Sequence, residues 1–168
     1  MIEIAYAIIF LVVLQRLGEL VLANRNTQRL KAQGAVEIGA GHYPLIVLLH
    51  MAWLLAVLWL LPAGLRISWP WFVLFVLLQA GRIWVVATLG PYWTTRIISV
   101  PGRPLVRRGP YRFVRHPNYL VVAGEILALP MVFHETLVAI FFSLANAAIL
   151  FWRIREEDAA LAPRRDLG

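Results

Sequence analysis

Three apolar stretches, each about 20 residues long and almost free of charge, constrain this chain more than any other feature. A hydrocarbon core about 30 Å thick takes about 20 helical residues to cross, and only a backbone bonded to itself is tolerated there. The clean stretches run over about 2–23, 43–61 and 69–89, the second containing LIVLLHMAWLLAVLWLL. Two shorter ones follow, over about 119–133 and 135–154, separated only by His134 and its neighbours, and they predict a tight helical hairpin. Pro130 removes a backbone donor near the end of the fourth, which predicts a kink or an early stop. The expected fold is therefore an all-α, polytopic membrane bundle of about five helices, organised as one domain over residues 1–168. With 61% hydrophobic residues and a mean hydropathy of +0.73, such a chain could not hide its apolar surface in one soluble core.

Charge supplies the orientation. Lys and Arg number 16 against 9 Asp and Glu, and most of the basic residues fall between the apolar runs. Arg25, Arg29 and Lys31 follow the first; Arg96, Arg103, Arg107, Arg108, Arg112 and Arg115 follow the third; Arg153, Arg155, Arg164 and Arg165 close the chain. The other two loops hold only Arg66. Because cytoplasmic loops carry the excess of basic residues, five spans predict an inner-membrane protein with its N-terminus outside. Its C-terminus and the loop over 90–118 then face the cytoplasm. Nucleic-acid binding is excluded, since the basic residues form no continuous water-exposed face. No cysteine is present, so neither disulfides nor thiolate metal ligands enter, and no metal is expected. Trp53, Trp59, Trp69, Trp71, Trp93 and Trp152 fall mostly near span ends, where interfacial anchoring or simple packing would each place them.

Chemistry concentrates in the loop LGPYWTTRIISVPGRPLVRRGPYRFVRHPNYL. Pro101, Pro104, Pro110 and Pro117 fix backbone angles there, while Gly102 and Gly109 permit unusual ones, so the segment is built to hold one shape. A basic loop resting on anionic lipid headgroups would share that composition. The words GPYRFVRHPNY, taken with RIREEDAAL after the last apolar run, resemble the isoprenylcysteine carboxyl methyltransferase family, which is related to the phospholipid methyltransferases. The shared pattern is a Gly109-Pro110-Tyr111 turn, then Arg115-His116-Pro117 and Tyr119 entering a helix, a hairpin, and the Glu156-Glu157 pair beyond it.

That resemblance implies S-adenosylmethionine as cofactor, held by Leu105, Val106, Gly109, Pro110, Tyr111, Arg115, His116, Tyr119 and Glu157. An apolar slot suits adenine, and carboxylate, donor and aromatic groups suit the methionine part. Methyl transfer asks for positioning more than for acid–base work, and an arginine is the natural clamp for an anionic oxygen. Arg153 is the expected clamp, with Glu156 or Glu157 orienting it. The acceptor is expected to be a lipophilic small molecule or prenylated compound drawn from the bilayer, carrying a carboxylate or acidic hydroxyl. Two departures favour a small amphiphile such as an alkylpyrone: Gly124 lies further from Tyr119 than the pattern places its glycine, and LAPRRDLG stands where relatives carry an aromatic tail. Phospholipid N-methylation, and a non-catalytic or transport bundle, are the alternatives.

Within the spans, Arg16 and Glu19 share a helix face and can neutralise each other. Arg82 and Glu125 either pair across the bundle or line the acceptor's route, with Glu37, His42 and Tyr43 capping it. His50, amid apolar residues, reads as a packed and hydrogen-bonded side chain.

Overall fold

The computed structural model describes residues 2–167, with the side chains of His42, Arg165, Asp166 and Leu167 left outside the description. Five helices build it: α1 (Ile2–Ala32), α2 (Tyr43–Trp59), α3 (Trp69–Leu89), α4 (Pro117–Val132) and α5 (Thr136–Leu161). The expected all-α membrane bundle is what forms. α1, α3 and α5 are long and apolar enough to cross a bilayer, while α2 and α4 are shorter apolar helices of 17 and 16 residues.

α4 is the centre. It packs against α3 on one side and α5 on the other, and Tyr119, Val122, Glu125, Ile126 and Leu129 bury one helical stripe. At Gly124 an added Cβ would stand 2.7 Å from a Leu78 methyl, so the missing side chain is what lets α3 and α4 approach this closely. The apolar core joins Trp53, Val57, Phe75, Ile126, Leu129 and Phe133, whereas Phe10, Leu11, Leu17, Leu77 and Phe141 point outward. On a soluble protein that outer surface would be a liability; here it is the surface that meets lipid. Trp59 and Trp69 are exposed at the loop shared by α2 and α3, as interfacial anchors, while Trp53 and Trp93 are buried packing residues.

Three boundaries differ from expectation. α1 continues to Ala32 rather than stopping near 23, because the polar segment after Ala23 contains no Gly or Pro before Gly34 and the helix simply propagates. α5 likewise runs to Leu161, so Arg153 to Asp158 lie on the helix instead of beyond it. Pro117 occupies the first turn of α4, where a missing N–H costs nothing. Pro130 produces the early stop: its carbonyl accepts from Phe133 and Glu135 N–H groups, closing the hairpin turn. A two-stranded antiparallel ribbon was not foreseen; β1 (Val36–Ile38) pairs with β2 (Ile97–Ser99) and joins the α1–α2 connection to the long loop.

Candidate active site

The long loop is fastened before it reaches any site. Asn26, on the extended end of α1, donates to the carbonyls of Gly90 (3.1 Å) and Trp93 (2.8 Å). Next to β2, Arg96 bonds Glu37 on β1 and lies over the Tyr43 ring at 4.2 Å. Lys31 also bonds Glu37, and the two cations hold its carboxyl below the usual range, the Lys31 hydrogen bond foremost. Further along, Gly109 has φ +57°, and a Cβ there would sit 2.5 Å from Thr88 Oγ1 and 3.3 Å from Thr88 Cβ. Both the backbone angle and the close approach to α3 therefore require glycine. Gly109→Ala is expected to cost about 1–3 kcal/mol by straining the Pro110–Tyr111 turn, measured as a lower melting temperature in detergent.

Three segments converge beyond that turn. His116 precedes α4, with Nε2 3.2 Å from Asp158 Oδ1, Nδ1 3.9 Å from Glu157, and its ring stacked on Tyr119 at 5.4 Å. The Tyr119 hydroxyl donates to Glu157 and accepts from Arg153 Nε at 2.7 Å. Arg153 Nη2 donates to the Thr95 carbonyl at 2.8 Å. Arg153 is buried, and Nε and Nη2 are the two nitrogens that these bonds engage. The guanidinium is thus locked on two sides.

Two cavities meet at this point. The larger, about 610 Å³, lies between the loop and the ends of α4 and α5. Leu105, Val106 and Leu161 give it an apolar wall, Tyr92, Tyr111 and Tyr119 an aromatic one, and Glu157 and Asp158 face Arg115 and Arg164 within it. Burial, aided by the nearby Glu157 charge, pushes the Tyr111 hydroxyl's pKa upward, so it stays a neutral donor. The smaller, about 260 Å³, is lined by apolar residues of α1, α2 and α5. Trp93, Thr94, Asn118, Tyr119 and Arg153 line both. The two hollows thus adjoin along a shared wall in which Arg153 and Tyr119 are bonded to each other.

The sequence model of the isoprenylcysteine carboxyl methyltransferase family matches residues 71–163, more than half of the chain and the whole of the larger cavity's loop. This chain belongs to that family. Membership implies a membrane methyltransferase, and members of the family use S-adenosylmethionine. Two relatives carry no assigned activity: the uncharacterized protein YpbQ of Bacillus subtilis is 40% identical over 160 residues, 93% of this chain and 95% of its own. An uncharacterized protein of Haemophilus influenzae is 24% identical over 154 residues, 88% of each chain. No solved structure matches.

The family motif residues are brought together as the sequence implied, with corrections. Leu105, Val106, Tyr111, Arg115, His116, Tyr119, Arg153 and Glu157 all line the larger cavity. Gly109 and Pro110 do not; they shape the turn from behind. Glu156 is absent from the lining and from the bonds around Arg153. It sits one residue, about 100° of helix, away from the Glu157 face. Nor does Glu157 touch Arg153 directly, since Tyr119 stands between them. Arg82 and Glu125 pair at 2.9 Å as expected, but within a larger set: Arg16 reaches Glu125 (2.7 Å) as well as Glu19 (3.1 Å), and Arg82 reaches Glu19 (2.6 Å). Arg82 lines the smaller cavity and Glu125 does not. The His42 side chain lies outside the described residues. Asp158, Thr95, Asn118 and Trp93 were missed. For Asp158 alone was a signal available: on α5, Asn146, Leu150, Arg153, Glu157 and Leu161 recur every three or four residues and line one cavity or the other, with Asp158 beside Glu157.

Proposed function

We propose that this protein is an S-adenosylmethionine-dependent O-methyltransferase acting on the carboxylate or acidic hydroxyl of a lipophilic acceptor that enters from the bilayer. The supporting observation is Arg153: held by Tyr119 and Thr95 through Nε and Nη2, it borders both cavities.

The larger cavity suits the donor. Its apolar wall accepts a purine, Glu157 and Asp158 attract an ammonium and a sulfonium, and Arg115 or Arg164 matches a carboxylate. When bound there, S-adenosylmethionine supplies a methyl group whose bond to sulfur breaks as the bond to the acceptor oxygen forms, leaving a neutral thioether. The chain's own residues then have three tasks. Arg153 holds the anionic oxygen against repulsion and orients its lone pair, by charge-assisted hydrogen bonding in a buried place. Tyr119, pinned by Glu157, keeps the guanidinium from swinging out. The apolar cavity takes the acceptor's tail and keeps water from the reacting pair.

A carboxylate is ionised at neutral pH without help, so this arrangement needs no base. A cation at the junction suits an anionic oxygen and disfavours the ammonium head group that an N-methylating enzyme would receive. The test uses purified protein in detergent with methyl-labelled S-adenosylmethionine and bacterial lipid extracts as acceptors. Label is expected in an organic-soluble methyl ester or enol ether. Absence of both cofactor binding and labelled product would sink the reading, and label recovered on a phospholipid amine would replace it with N-methylation.

A further inference from the structure

The smaller cavity contains more polarity than an apolar tail requires. Asn146 on α5 is 2% exposed, lines this cavity, and its Nδ2 has no partner among the described residues. An unsatisfied buried amide is costly, and in a membrane no bulk water relieves it. His50 on α2 lines the same cavity. Its Nδ1 donates to the Ile46 carbonyl at 2.8 Å, and Trp53 meets its ring edge-on at 6.4 Å, so the ring's direction is set. Nδ1 carrying the proton leaves Nε2 of the neutral ring as an acceptor. Beside Arg16 Nε and Trp93 Nε1, which are also without a partner among the described residues, the cavity therefore holds an unused donor on Asn146 and an acceptor on His50. Asn146 lies seven residues before Arg153, two turns earlier on the same face of α5, about 10 Å along the helix axis.

Resting on the methyltransferase reading above, we propose that His50 and Asn146 form a specificity subsite for a hydroxyl group carried on the acceptor's tail. The hydroxyl accepts from Asn146 and donates to His50 Nε2, while Arg153 holds the oxygen to be methylated. The preferred acceptor is then an amphiphile with two oxygen functions, an acidic one at its head and a hydroxyl some way down its chain. A plain hydrocarbon tail leaves both side chains unmatched.

The experiment is equilibrium binding in detergent with S-adenosylhomocysteine present, so that turnover is not needed. The probes are palmitic acid and a series of hydroxypalmitic acids with the hydroxyl stepped along the chain. Wild-type protein is expected to bind one positional isomer about tenfold more tightly than palmitic acid, the net worth of a satisfied hydrogen-bond pair. Asn146→Leu and His50→Phe are expected each to erase that preference, read as the ratio of the two affinities in each variant. His50→Gln, which restores an acceptor, is expected to recover part of it. Equal affinity at every position, no binding of any acid, or a preference that survives both substitutions overturns the subsite. The methyltransferase reading fails separately, if S-adenosylhomocysteine itself does not bind.

Discussion

Arg153→Ala is expected, on the proposed reading, to lower turnover by about 10²–10³-fold, the loss typical of removing one preorganised donor from a developing reaction centre, and to leave cofactor affinity within a few fold. The two effects separate because Arg153 stands at the border of the donor cavity, while Glu157, Asp158, His116 and Tyr111 remain in place around it. Arg153→Lys recovers only part of the rate. A lysine restores the charge, but it cannot donate to Tyr119 and Thr95 while presenting a third edge to the acceptor. Initial rates of methyl incorporation, paired with equilibrium binding of the cofactor, check both statements. Turnover within a few fold of wild type, with cofactor binding intact, would remove Arg153 from the mechanism.

The largest effect on stability belongs to Glu125. Its carboxylate is 1% exposed and accepts from Arg16 (2.7 Å), Arg82 (2.9 Å) and Gln79 (2.9 Å). With Glu19, these residues form a closed and electrically neutral set, two guanidiniums against two carboxylates, in the middle of three helices. Glu125→Ala leaves two cations sharing one carboxylate where water is scarce. Breaking a buried pair in this way costs about 3–5 kcal/mol. The melting temperature in detergent is expected to fall by about 10 °C, given about 2–4 °C per kcal/mol for a chain of this size. A charge-neutral double substitution, Arg16→Leu with Glu125→Leu, is expected to lose far less than the sum of its parts, which is the signature of coupled charges. A Glu125→Ala protein that melts within 2 °C of wild type would show the set to be incidental.

Much of this was legible beforehand. Apolar run length alone located all five helices, because membrane crossing leaves so few backbone solutions. The motif residues from Tyr111 to Tyr119 and the acid at Glu157 were also visible, through their resemblance to the family's motif pair. What escaped was whatever depends on a helix continuing past its apolar stretch. Hydropathy reports solvent preference, and it is blind to a polar helix end such as Asn26–Ala32 or Arg153–Leu161. Drawing α5 too short placed Glu156 and Glu157 together in a tail, where they looked equivalent. On a helix they face different ways, and only Glu157 lines the cavity. The ribbon of Val36–Ile38 with Ile97–Ser99 was invisible for another reason: three-residue strands carry too little alternation to be read from sequence.

The ribbon and the Asn26 bonds make the first forty residues a working part of the catalytic end rather than a detachable anchor. Val13, Arg16, Tyr43, Ile46 and His50, all upstream of the stretch that matches the family, wall the apolar cavity, whereas the donor pocket is built mostly within that stretch. On the proposed reading, the donor site lies mostly in the family stretch, while the acceptor cavity draws on both that stretch, through Arg82, Asn146 and Arg153, and the leading two helices. Drift in those helices would then reshape one side of the acceptor cavity and spare the donor site, so exchanging them between relatives is expected to shift substrate preference rather than carry it over whole.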